Sequence, residues 1–118
     1  MLMNVKDFRI GDYIYYNGSY KPITTITSDK IIGKDFDLFP KDIQPVPITT
    51  ELLKIFGFVF DNVWKLGNVI LSHIFNNIYK VFYTESNKTI FKGNVSYLHE
   101  LQHKLWDLKI ELIWVWET

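Results

Sequence analysis

Three features of the sequence predict an α+β fold. The dipeptide Asn17-Gly18 sits between runs of aromatic and β-branched residues, the strongest short hairpin signal a chain can carry. Leu98, Leu101, Leu105 and Leu108 recur at helical spacing. Between these regions, short apolar runs alternate with turn residues such as Asn76-Asn77 and Ser86-Asn87. The architecture expected is a single domain over residues 1–118. A small bent β-meander, SH3-like in character, forms a lobe over residues 1–44. A second lobe over residues 45–118 holds a short helix, antiparallel strands, a second helix and a C-terminal strand.

The elements follow in order. Gly11-Asp12 opens a strand containing Tyr13, Ile14, Tyr15 and Tyr16. After the Asn17-Gly18 turn, residues 20–27 return as a strand rich in β-branched side chains. Ser28-Asp29-Lys30 makes the next turn, and residues 31–39 form a third strand with a break at Gly33-Lys34-Asp35. Pro45-Val46-Pro47 is a stiff extended connector. Thr49 or Thr50 then caps a helix running to about Phe56, with Leu52, Leu53 and Phe56 inward and Gly57 as its left-handed stop. Strands are expected near residues 58–66, 68–75 and 79–84, with a further short one at 89–92. Asn94 or Ser96 caps the second helix. The final segment, KIELIWVWET, reads as a strand apolar on both faces, buried in the domain or against a partner.

Composition narrows the function classes. The chain has 118 residues, 47% of them hydrophobic and 17% aromatic, enough to bury a core. Formal net charge is zero, so no global field draws in a polyanion. Arg9 is the lone arginine beside twelve lysines, which argues against bidentate reading of bases. Cysteine is absent, removing disulfides, thiol catalysis and cysteine–zinc sites. The start, MLMNVKDFRIGDY, places Lys6, Asp7 and Arg9 where a signal peptide needs an apolar run, and nothing approaches a membrane span. A soluble protein of the cytoplasm, with no membrane partner, is the expectation.

The stretch HELQH, His99 to His103, matches the H-E-x-x-H pattern of zinc metalloproteases. That chemistry needs two histidines one turn apart, a glutamate to activate bound water, a third ligand and an open cleft. Fifteen residues follow His103, with Asp107, Glu111 and Glu117 the only carboxylates among them. This leaves no room for a second ligand-bearing helix. The leucine stripe sets the buried face, and His99 and His103 should flank it half exposed. The match reads as incidental, His99 and His103 as weak metal candidates, and no metal or other cofactor is expected. Asp35-Phe36-Asp37 likewise puts two carboxylates on one strand face, but a charged hairpin around a buried Phe36 is the preferred reading. No glycine-rich phosphate loop and no serine–histidine–acid spacing stands out, so no catalytic residue is assigned.

Aromatic crowding is the more informative anomaly. Tyr13, Tyr15, Tyr16 and Tyr20 cluster in the first hairpin; Trp106, Trp114 and Trp116 cluster at the C-terminus. Tyrosine and tryptophan anchor interfaces because they supply large area at low entropy cost. They also stack on unpaired bases. Filling a thin core accounts for most of them, about two thirds.

Three segments, RIGDYIYYNG, PVPITTELLKIFGF and YLHELQHKL, resemble a family of short phage and prophage reading frames of anaerobic and related Gram-negative bacteria. The family pattern runs as R-I-G-N/D-x-V/I-x-Y-N-G, then P-I/V-P-L/I-T-x-E-x-L-x-x-F-G-F, then Y-V/L-H-x-L-Q-x-L. The matching positions include Arg9, Gly11, Asn17, Gly18, Pro45, Pro47, Thr49, Glu51, Leu53, Phe56, Gly57, Phe58, Tyr97, His99, Leu101 and Gln102. In the family, glutamine is common where Glu100 stands and asparagine is frequent where His103 stands, which supports the incidental reading of HELQH. The aromatic tail IELIWVWET departs from the usual ending. The resemblance implies a non-enzymatic anti-defence protein, in its most concrete form an anti-CRISPR inhibitor of a type VI RNA-guided RNA nuclease. The partner is then a host defence protein, with RNA contact as a secondary feature and Trp114, Trp116, Trp106 and the four hairpin tyrosines as candidate anchors. The alternatives are a nucleic-acid-binding accessory domain and, behind it, the zinc hydrolase.

Overall fold

A computed structural model describes residues 3–110 and Leu112. The chain is α+β, with two antiparallel sheets and two α-helices among the described residues. It divides into two compact units, Met1–Val46 and Pro47–Thr118, at the proline-bounded connector.

The first unit is a four-stranded meander in the order β1-β2-β3-β4: β1 (Tyr13–Tyr16), β2 (Ser19–Ile26), β3 (Ile31–Gly33) and β4 (Phe36–Leu38). Asn17 and Gly18 both adopt positive φ, 51° and 87°, which is the type I′ geometry the dipeptide favours. It sets Tyr15 opposite Tyr20. The break expected at residues 33–35 is real and turns one strand into the β3–β4 hairpin. A register shift between Ile23 and Thr25 marks the irregularity in the β2–β3 pairing. Ile14, Ile23, Ile31 and Phe36 point inward and meet Met3, Phe8 and Ile43. Asp12 is fully buried; its carboxylate accepts the Arg9 amide at 2.8 Å. Its backbone pairs with Ile23 through Ile23 N–H to the Asp12 carbonyl, 2.9 Å. Asp12 therefore ties the entry loop to the sheet, a role its position before β1 did not announce.

The second unit opens with α1 (Thr50–Ile55). Thr49 is the cap, its hydroxyl accepting the Leu52 amide at 3.2 Å. Gly57, at φ 94°, closes the helix with the paired bonds Gly57 N–H to Lys54 O and Phe58 N–H to Leu53 O. Leu52, Leu53 and Phe56 are buried as expected. Five strands follow in sequential order: β5 (Val59–Asp61), β6 (Val63–Leu66), β7 (Val69–Phe75), β8 (Ile78–Glu85) and β9 (Lys88–Val95).

Two expectations need correction here. The single strand near residues 58–66 is a hairpin, because Asn62 takes φ 63° and folds β6 back on β5. The short strand at residues 89–92 is twice as long and continues to Val95, through a bulge at Val81/Phe82 and Gly93 at φ 119°.

Sheet alternation is plain on β7 and β8. Val69, Leu71, Tyr79 and Val81 are buried, while Ile70, Ser72, Lys80 and Phe82 take the other face. The helix α2 (Leu98–Asp107) packs on β9, burying Leu98, Leu101 and Leu105. Full burial of one such leucine contributes about 1.5–3 kcal/mol. Its N-cap is Tyr97, not Asn94 or Ser96. Asn94 still belongs to β9, and the Ser96 carbonyl is engaged by Ile48 N–H and by Asn77 Nδ2. Leu108 is the C-cap, and Lys109 ends the helix at φ 64°. The expected C-terminal strand falls outside the described residues. No helix among the described residues is long and apolar enough to cross a membrane.

Candidate functional site

The HELQH segment lies on the first turns of α2. Glu100 accepts the Ser96 amide at 2.9 Å and the Tyr97 amide at 3.0 Å through the same Oε1. It is the carboxylate arm of a capping box, holding orphan N–H groups at the helix start. His99 is buried at 7% exposure, a correction to the half-exposed position expected. Its ring stacks near Tyr97 and stands edge-on to His103, 5.7 Å between centroids. His103 in turn stacks on Trp106 at 5.8 Å. The histidines thus belong to a Tyr97–His99–His103–Trp106 ring ladder along one side of α2. Among the described residues no group of three or more histidine, aspartate or glutamate side chains converges as a metal site.

The Asp35/Asp37 pair is neutralised by lysines. Lys21 Nζ donates to Asp35 at 2.9 Å, and Lys30 reaches Asp37 at 3.3 Å. The Lys21 ammonium holds the Asp35 carboxyl below the usual carboxylate range. Phe36 between them is buried.

The tyrosines of the first hairpin divide. Tyr15 is 57% exposed and meets Tyr20 edge-to-face at 5.0 Å. Tyr13, Tyr16 and Tyr20 are half-buried, and Tyr16 leans on Phe36 in the core at 5.8 Å. Lys21, the lysine nearest these rings, is committed to Asp35. Trp106 is half-buried in its stack with His103. Trp114 and Trp116 lie outside the described residues.

Sequence reasoning missed the outward face of the five-stranded sheet. Registers place Lys65, Ile70, Phe82 and Phe91 side by side across β6, β7, β8 and β9. Phe82 and Phe91 touch with ring centroids 5.6 Å apart, and Phe91 is 53% exposed. The next row along the strands is Ser72, Lys80 and Asn94. Period-two alternation on β8 was the available signal: Phe82 falls out of step with buried Tyr79 and Val81. Its partner Phe91 was hidden by the bulge, which shifts the β9 parity by one.

A cleft of about 490 Å³ also opens in the second unit, between α1, the β5–β6 hairpin and β7. Phe60 and Trp64 line it with ring centroids 5.0 Å apart. Thr50 and Lys54 come from α1, and Ser72 and His73 from β7. His73 Nε2 donates to the Asn76 carbonyl, and its ring packs on Tyr79. No described residue lining the cleft is acidic.

No family model matches the chain, and neither a curated protein nor a solved structure does.

Proposed function

We propose that the chain is a phage- or prophage-derived binding protein that inhibits a bacterial defence complex without bond-breaking chemistry of its own. The row Ile70–Phe82–Phe91 on the outward sheet face carries this reading. A water-facing sheet side ordinarily presents polar residues. Here two phenylalanines in contact stand on β8 and the edge strand β9, with Lys65, Lys80 and Asn94 on the same face, an aromatic anchor with polar neighbours. Val59 on the edge strand β5, set beside Lys65 by the register, is also exposed, at 66%, and a free edge can extend a partner's sheet. Tyr15, and from sequence alone Trp114 and Trp116, supply further anchors. The resemblance to short phage reading frames points to an RNA-guided RNA nuclease as the first partner to test. Purified chain added to such a nuclease should form a complex on gel filtration and stop target RNA cleavage.

A second reading, single-stranded nucleic-acid binding, is favoured by Lys80, two residues from Phe82 on the same face, and by Lys65 at the end of the same row. Stacked bases on Phe82 and Phe91 with phosphates on these lysines give an affinity that falls steeply with salt. A gel shift in low salt that shows no retarded RNA removes this reading and leaves the first standing.

A further inference from the structure

We infer that the cleft between α1, the β5–β6 hairpin and β7 is a binding site for a nucleotide unit, an aromatic base carrying a phosphate. The inference is independent of the partner proposed above. Its volume, about 490 Å³, lies within the range of small-ligand sites.

Two observations define the ligand. Phe60 is 60% exposed, its ring set against buried Trp64, so a flat aromatic group can stack on a surface that is already braced. Lys54, one helical turn from Thr50, reaches the same cleft and makes no ion pair with a described residue. With no acidic side chain among the described lining residues, the cleft selects for negative charge. Asp61, on the same hairpin, faces Lys65 at 3.8 Å and is not among the lining residues. A planar ring with an attached anion meets both conditions. The hydroxyls of Thr50 and Ser72 and the amide of Asn62 provide donors and acceptors for base edges. A nucleotide unit can come free or as part of a single strand, and the two sources share this chemistry.

The test is an NMR titration of the full ¹⁵N-labelled chain with AMP, adenosine, inorganic phosphate and a short oligoadenylate. AMP should saturate shifts of amides in residues 50–54, 60–64 and 72–73, and adenosine should bind the same residues several-fold more weakly. Phe60→Ala should weaken AMP and adenosine alike by about fivefold or more, the range of a lost stacking contact. Because Phe60 is exposed, this variant should keep its fold, which its spectrum reports directly. Lys54→Gln should weaken AMP and leave adenosine unchanged. Oligoadenylate binding tighter than AMP at these amides assigns the site to a strand; equal binding assigns it to free nucleotide. No saturable shift with AMP or oligoadenylate at about 10 mM nucleotide, or AMP affinity unmoved by both variants, overturns the inference. Neither result bears on capture of a protein partner through the outward sheet face.

Discussion

Glu100 accepts the amide proton of Tyr97, three residues before it, at 3.0 Å. The residue that would activate water in a zinc hydrolase is here a helix cap. Glu100→Ala should lower stability by about 0.5–2 kcal/mol, the cost of losing a capping side chain. Glu100→Gln, which keeps an acceptor oxygen, should cost less. Urea melts of the two variants check this, and metal analysis of the purified protein should find no stoichiometric zinc. A zinc ion retained through dialysis and lost with His103→Ala would reverse this reading of α2.

Both α-helices end in the same hydrogen-bond pattern, but with different residues. Gly57 closes α1, while Lys109 closes α2 with N–H bonds from Lys109 to Trp106 O and from Ile110 to Leu105 O. Lys109 holds φ 64°, a left-handed conformation costing an L side chain about 1–2 kcal/mol. Glycine relieves that cost but gives back about 0.4–1 kcal/mol through the freer unfolded chain. Lys109→Gly should therefore raise the melting temperature, with a net gain of up to about 1.6 kcal/mol. A lower value would show that the lysine side chain makes a compensating contact.

The Lys21–Asp35 bridge has a defined pH signature. Hydrogen bonding and charge from Lys21 lower the Asp35 pKa in the folded state. A depressed carboxyl contributes stability that is present above its unfolded pKa and lost as pH falls through the folded one. Lys21→Ala should move the Asp35 carboxyl resonance titration to higher pH. Because both groups meet solvent, added salt should shrink the difference. The buried phenol of Tyr79 behaves oppositely at the alkaline end. Desolvation raises its pKa, so the stability it contributes is present below the ordinary phenol range and lost above it. Ultraviolet titration should show a late tyrosine ionisation that Tyr79→Phe removes.

Trp114 and Trp116 are candidate anchors on sequence grounds alone. Trp114→Ala with Trp116→Ala should abolish partner capture while leaving the circular dichroism spectrum intact. Collapse of the fold in that variant would assign the indoles to the core.

Legibility followed locality. The Asn17-Gly18 turn, the α1 cap and the Gly57 stop each act within a few residues; the turn and the stop are legible in the sequence, and the cap narrows there to Thr49 or Thr50. Errors came where distant pairing decided the outcome. Asn62 bends a single apolar run into a hairpin only because β6 finds its place between β5 and β7. His99 flanks the leucine stripe on a helical wheel, yet it is buried together with Gln102. Asp12 reads from sequence only as the opening of a strand and is a buried tie. The candidate surface was least visible of all, since Phe82 and Phe91 become neighbours through a bulged register.

Phage plating tests the proposed binding and inhibition through the outward sheet face. A strain whose RNA-guided nuclease targets the infecting phage should regain plaques when it expresses this chain. Phe82→Ala with Phe91→Ala should remove two anchors, each typically worth about 2 kcal/mol or more in binding. The doubly substituted chain should fold, with a circular dichroism spectrum like that of the unchanged protein, and fail to restore plaques. Plaques restored equally well by the folded double variant would contradict the account.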